Sequence, residues 1–410
     1  MAQFVVHHNR TLTKACAKGS SGAEIAVESP SRTITLRPRV MSADEALRPT
    51  RAEIDLNALA HNLSVVRKTA GKAKVLAVVK ADAYGHGVGP VAQRLEAEGV
   101  DGFGVALAEE GIELREAGID AQIIVLNGVH AGAHREVVEA GLTPVIYDLD
   151  EANAFSRVAT RAPVGVHLEI DTGMARLGVQ LHKLNEFLEG FERLEGVRID
   201  GVMTHFSSAD ELDSETTRSQ LRLFEEARGM ITARGHRPKL IHAANSAGMF
   251  AHPSARFDMV RPGLALFGIE PAKGTTNELL PAMRLRTEVI AMRELPAGAP
   301  VGYSEAFHTQ RTTQIATVPM GYGDGLMRAA SNRGMMLVRG HACRIVGNVS
   351  MDLTTLDVTD VPGVRVGDEV VVLGEQSGAF ARAEDLALAA GTIPYEVLTN
   401  VSRRVPRFYR

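Results

Sequence analysis

The sequence predicts an α/β chain: a (β/α)8 barrel over residues 50–285, followed by a β-rich C-terminal domain over 286–410. Three observations carry this. Eight short apolar runs alternate with helix-like segments from about residue 50 onward. Such alternation demands a parallel sheet, and eight repeats suit a closed barrel better than an open sheet. Polar residues collect where the runs end, at Lys80, Asp171, His205 and Asn245, the rim where barrel enzymes keep their active sites. After Arg286 the texture changes to short strands divided by Gly, Pro and Asp turns, the mark of a β-rich domain.

The first regular element is a helix, "IDLNALAHNLSVVRKTAG". Asp55 caps it, Leu56, Leu59, Leu63 and Val66 share one face, and Gly71 closes it. "KVLAVVK" (74–80) is a β-branched run of the kind buried parallel strands show. Further strands are expected at 102–106, 122–127, 143–148, 164–171, 201–206, 240–246 and 263–268, with helix-like stretches such as "GPVAQRLEAEG" and "EEGIELREAG" between them. In the second domain "TEVIAMREL", "TTQIATVPMGYGDG", "GMMLVRG", "CRIVGNVSMDLTTLDV" and "GDEVVVLG" read as strands. One helix there ends at Gly391.

Composition narrows the function classes. Hydrophobic residues make up 45% and charged residues 23%, with a net charge of -4 and no Trp. These values favour neither nucleic acid nor a strongly acidic partner. The two cysteines, Cys16 and Cys343, do not form a disulfide framework and fit a reducing compartment. No run reaches the length of a membrane span, and residues 1–49 read as a disordered extension, with a weak echo of a transit peptide. A cytoplasmic location is expected, and no metal site.

"VVKADAYGHGV" (78–88) raises the chemical question. A lysine closing a buried strand can be desolvated, which lowers its pKa toward the range where the free amine exists. Such an amine can condense with an aldehyde cofactor. The plain alternative is a strand end reaching solvent, and His86 reads as a polar loop residue.

Further motifs extend the pattern. "AVVKADAYGHG", "IDTGMARLG" (170–178), "MTHFSSAD" (203–210), "NSAG" (245–248), "RPGLALFG" (261–268), "VPMGYGDG" (318–325), "VGNVSMD" (346–352) and "TIPYE" (392–396) resemble, in order, those of the alanine racemase family. The resemblance runs from about residue 50 to the C-terminus and implies pyridoxal 5'-phosphate carried by Lys80. It implies a phosphate cradle of Tyr84, Ser246, Gly263, Leu264 and Tyr395, with Asn245 beside it. By themselves Gly263 reads as a turn and Ser246 as a helix cap. Arg261 matches the residue facing the pyridine nitrogen, and His205 the residue bridging it to the second base. Tyr322 matches that base and enters the neighbouring subunit's site in the family, so a homodimer with shared sites is implied. Arg176 matches the arginine near the substrate carboxylate, and Met351 and Asp352 the partner-subunit loop offering main-chain donors.

One position departs from the family. Many members carry a carbamylated lysine seven residues before the arginine; this chain has Glu169, expected to orient Arg176 without carbamylation. The resemblance thus implies two-base interconversion of L- and D-alanine, supplying D-alanine for peptidoglycan. A broad-specificity racemase accepting serine, a barrel-type decarboxylase of basic amino acids and a non-catalytic cofactor-binding barrel are rivals. "GYGDG", "RPGLALFG" and "TIPYE" weigh against the decarboxylase, and the second domain carrying Tyr322 against the non-catalytic barrel.

Overall fold

The computed structural model describes residues 47–410. Of the extension expected over 1–49, residues 1–46 lie outside that range. Strand β1 (Arg51–Ile54) is followed by helix α1 (Leu56–Ala70). Asp55 accepts hydrogen bonds from the Asn57 and Ala58 amides at 2.9 and 3.1 Å, and Gly71 ends the helix at φ 67°. Strand β2 (Lys74–Val78) then opens a parallel sheet with β3 (Gly102–Val105), β4 (Gln122–Val125), β5 (Thr143–Ile146), β6 (Val164–Asp171), β7 (Val197–Met203), β8 (Leu240–His242) and β9 (Met259–Val260). From β2 to β8 neighbours in sequence pair with each other, and β9 returns to pair with β2, Met259 opposite Lys74. The Arg261 amide bonds to the Ala244 carbonyl at 2.9 Å on the other side, so the sheet closes as the (β/α)8 class requires.

Period-two alternation sorts the side chains. Val75 and Ala77 join the large core between sheet and helices, while Leu76 meets Ile124, Val145, Met203 and Met259 in a small cluster drawn from five strands inside the barrel. Leu76, Val78 and Lys80 therefore face inward in turn, as do His167 and Glu169 along β6.

The expected eighth strand is displaced. Residues 263–268 form a 3-10 turn, Leu264–Phe267, and Met259–Val260 supplies the strand instead. Pro262 has no amide hydrogen to pair, and the Gly263 amide bonds to the Ser246 hydroxyl rather than to a strand. An apolar run this short does not distinguish strand from helix by periodicity.

The second domain is a ten-stranded sheet with its own core. Residues 51–54, inside the segment the sequence assigns to the barrel and without a strand expected there, form β1 and belong to this sheet. The strand pairs antiparallel with Met283–Glu288 and parallel with Arg407–Tyr409. Among the described residues, no helix is long and apolar enough to cross a membrane.

Candidate active site

Eleven of the predicted site residues line one cavity of about 120 Å³ at the C-terminal rim of the barrel: Lys80, Tyr84, Glu169, Arg176, His205, Asn245, Ser246, Arg261, Gly263, Leu264 and Tyr395. A larger cavity of about 670 Å³ beside the C-terminal strand holds none of them. Lys80 stands where β2 ends. Burial, reinforced by Arg176, lowers its pKa against the opposing pull of Glu110, and it forms no ion pair among the described residues. A desolvated amine of this kind is the group an aldehyde cofactor requires.

The segment after Lys80 is unusual. Ala81, Asp82, Ala83 and Tyr84 all adopt left-handed backbone, φ 52–54°, at a cost of roughly 1–2 kcal/mol each for L-residues. Several contacts hold this turn. The Ala81 amide bonds to Glu110 Oε1 at 2.6 Å, and Asp82 Oδ1 accepts from the Val88 amide at 2.7 Å. His86 is fully buried rather than exposed in a loop; its Nδ1 donates to the Ala83 and Tyr84 carbonyls, both at 3.0 Å. The turn delivers the Tyr84 ring against Phe267, at 4.9 Å between centroids.

The opposite wall suits a phosphate. Ser246 Oγ accepts from the Gly263 amide at 2.9 Å and the Ala265 amide at 3.3 Å. A Cβ at Gly263 would lie 2.4 Å from the Tyr84 hydroxyl, so the space before these donors exists only because residue 263 has no side chain. Asn245 Oδ1 caps the short helix Ser246–Ala251 through the Gly248 amide, at 2.8 Å. The hydroxyl of Tyr84 stays protonated because burial raises its pKa well above the usual value. With both amides donating to Ser246 Oγ, the Ser246 and Tyr84 hydroxyls keep their own protons to donate, a pair that fits a phosphate.

Arg261 is 3% exposed and gives up its hydrogens in a fixed pattern. Nη2 donates to the Thr204 and Ala243 carbonyls at 2.7 and 3.1 Å, with His205 Nδ1 at 3.4 Å, and Nη1 donates to His242 Nδ1 at 3.1 Å. The Nε–H and one Nη1 hydrogen remain for whatever enters the cavity. Burial and the surrounding cations Arg261, Arg176 and Lys80 push His205 down to about 3; it is a neutral imidazole with its proton on Nε2. Arg176 follows a turn organised by Asp171, whose Oδ1 accepts from the Gly173 and Ala175 amides at 3.0 Å each. Glu169 is 5% exposed, pairs with neither arginine, and leaves Oε2 without a partner. Burial raises its pKa to about 7, against the attraction of Arg261 and Arg176.

Tyr322, Met351 and Asp352 do not line this cavity. They cluster on the second domain's surface, with Tyr322 43% and Met351 52% exposed. The Tyr322 amide bonds to the Ser350 carbonyl and the Gly323 amide to the Met351 carbonyl, both at 2.9 Å. Arg404 ties the two turns together: its Nη2 lies 2.7 Å from Asp352 and its Nε 3.5 Å from the fully buried Asp324. Sequence reasoning missed Asn127, which lines the cavity at the end of β4, and His242. Asn127 carries the same signal as Lys80, a polar residue closing an apolar run; His242 shows as a polar residue inside one.

Residues 54–271 match the model of the alanine racemase N-terminal domain, and residues 282–409 that of the alanine racemase C-terminal domain. The alanine racemase of Sorangium cellulosum is 47% identical over 377 residues, covering 89% of this chain and 100% of that protein. That of Symbiobacterium thermophilum is 43% identical, covering 89% and 98%. Among solved structures, the alanine racemase of Streptomyces lavendulae superposes with a TM-score of 0.84 at 34% identity, covering 89% and 98% of the two chains. The Bartonella henselae alanine racemase, solved with covalently bound pyridoxal phosphate, gives 0.82 at 29% identity, covering 88% and 99%. The chain belongs to the alanine racemase family, an isomerase for the enantiomers of alanine.

Proposed function

We propose that this chain racemises alanine as a cytoplasmic homodimer, with pyridoxal 5'-phosphate held by Lys80 and D-alanine delivered to peptidoglycan synthesis. The observation that carries the reading is the convergence of a desolvated lysine, a hydroxyl-and-amide cradle and a buried arginine on one cavity. The covalently bound cofactor in the Bartonella henselae relative supports it. When bound, the cofactor would supply an electron sink that acidifies the α-C–H of alanine.

The protein residues then divide the work. Tyr84, Ser246 and the Leu264 amide would hold the phosphate, Gly263 would leave room for it, and Tyr395 would wall it. Asn245 holds the short helix that carries Ser246. Arg261 keeps its proton, since burial lowers its pKa only to about 10, and would donate to the cofactor's ring nitrogen. Arg176 pairs with the substrate carboxylate, oriented by Glu169. Lys80, once displaced, moves a proton at one face of the α-carbon. Tyr322 of the partner subunit would serve the other face, because the exposed Tyr322, Met351 and Asp352 stand outside the Lys80 cavity of their own chain. His205 Nε2–H is free to donate to that phenolic oxygen, easing the burden on a base whose ordinary pKa is about 10.

An absorbance scan with a racemisation assay tests the reading. Wild type should show a band near ~420 nm and convert L- to D-alanine; Lys80→Ala should lose both, the rate by at least about a hundredfold. A wild-type band without conversion of alanine would reject the proposal.

A further inference from the structure

The buried polar groups along the barrel axis have a direction. Arg261 can only donate, so its 3.1 Å contact with His242 requires His242 Nδ1 to be an acceptor. Burial, then Arg261, drives the His242 pKa well down, so its single proton sits on Nε2. That nitrogen lies 2.8 Å from His167 Nδ1, which must accept, placing the His167 proton on its own Nε2. His167 is also fully buried and held neutral, down to about 4, mainly by burial. Donation thus runs in sequence from Arg261 through His242 to His167.

The chain ends at the opposite mouth of the barrel. His167 lines a cavity of about 580 Å³ with Asp200, Lys239 and Asp258, and its Nε2 has no partner among the described residues. The seat is built for this ring: a Cβ at Gly201 would lie 2.6 Å from three of its atoms. An apolar residue would fill such a core position at less desolvation cost than imidazole.

We propose that His167 is a positioning residue for the reaction, acting through His242 to fix the Arg261 guanidinium from the far end of the barrel. Without His167 the His242 Nε2–H, on a fully buried ring, loses its acceptor, and the ring is released from the orientation that presents Nδ1 to Arg261. The role rests on the cofactor reading above, because Arg261 matters through what it faces.

The test has two arms. In the selectively 15N-histidine-labelled full chain, long-range nitrogen–proton spectra should show both rings neutral at pH 7 with the proton on Nε2, the signals assigned from the His167→Asn spectrum. In the holoenzyme, His167→Phe should weaken pyridoxal 5'-phosphate binding about tenfold, as loss of one buried acceptor predicts. His167→Asn, which restores an acceptor near the Nδ1 position, should stay within about threefold of wild type. A proton on His242 Nδ1, a doubly protonated ring, or a His167→Phe protein binding cofactor like wild type would overturn the proposal. The tautomers are read with or without cofactor, so this result is separable from a failure of the cofactor reading.

Discussion

Glu169 faces two opposed demands. Burial raises its pKa to about 7, so below that pH it is a neutral acid offering no charge to Arg176, and above it a carboxylate. Activity attributable to an oriented Arg176 should therefore rise with pH through about 7, and Glu169→Gln should flatten that limb and lower kcat/KM roughly tenfold. Because the folded pKa lies above the unfolded value, this group's contribution to stability is complete below the unfolded pKa and is lost as pH rises toward 7. Glu169→Gln, always neutral, should hence be more stable than wild type at pH 8 by at least about 1 kcal/mol, equivalent to one pKa unit. Chemical denaturation at pH 5 and 8 measures this; equal stability at both would contradict it. Removing bicarbonate should leave wild-type activity unchanged. Lys80, Arg261 and Ser246 entered as site residues through the resemblance of their motifs to the family; read alone, Ser246 is a helix cap and Lys80 a strand end, and what the structure adds is that all three line one cavity. Their partners were not legible in the sequence: the burial of His86, the support from Glu110 and the role of His242 depend on contacts between distant segments.

At secondary structure, local rules and tertiary contacts competed. Asp55 and Gly71 were readable as caps because capping is a matter of adjacent residues. Asp55→Ala should cost about 1 kcal/mol of stability with no change in kcat. The run 263–268 was misread because its backbone follows Pro262 and the Ser246 hydroxyl rather than its own apolar pattern. Gly263→Ala tests that turn: the added Cβ meets the Tyr84 hydroxyl, so the variant should fold with a loss of about 1–3 kcal/mol. Its cofactor affinity should fall at least tenfold, measured by equilibrium dialysis. The left-handed turn over Ala81–Tyr84 was invisible to propensity, since alanine prefers the opposite hand. It persists because Glu110, His86 and Val88 fix it from outside the segment.

Across the two domains, the alternation of strands and helices made the barrel legible, whereas the membership of β1 in the second sheet was not. A four-residue strand is too short to show a period of its own, and its pairing with Met283–Glu288 and Arg407–Tyr409 joins residues more than two hundred positions apart. That pairing ties both ends of the described chain to the sheet whose far side carries the Tyr322 turn. Arg404→Ala, which unties that turn from Asp352 and Asp324, should lower kcat about tenfold while leaving the absorbance of the Lys80-bound cofactor unchanged.

Subunit complementation tests the central claim, a site built by Lys80 of one chain and Tyr322 of the partner subunit. Lys80→Ala and Tyr322→Phe should each be nearly inactive alone. Unfolded together and refolded as a mixture, they should recover about a quarter of wild-type activity, because half the dimers are then mixed and each mixed dimer has one intact site. No recovery in a mixture shown to contain the mixed dimer would contradict the account.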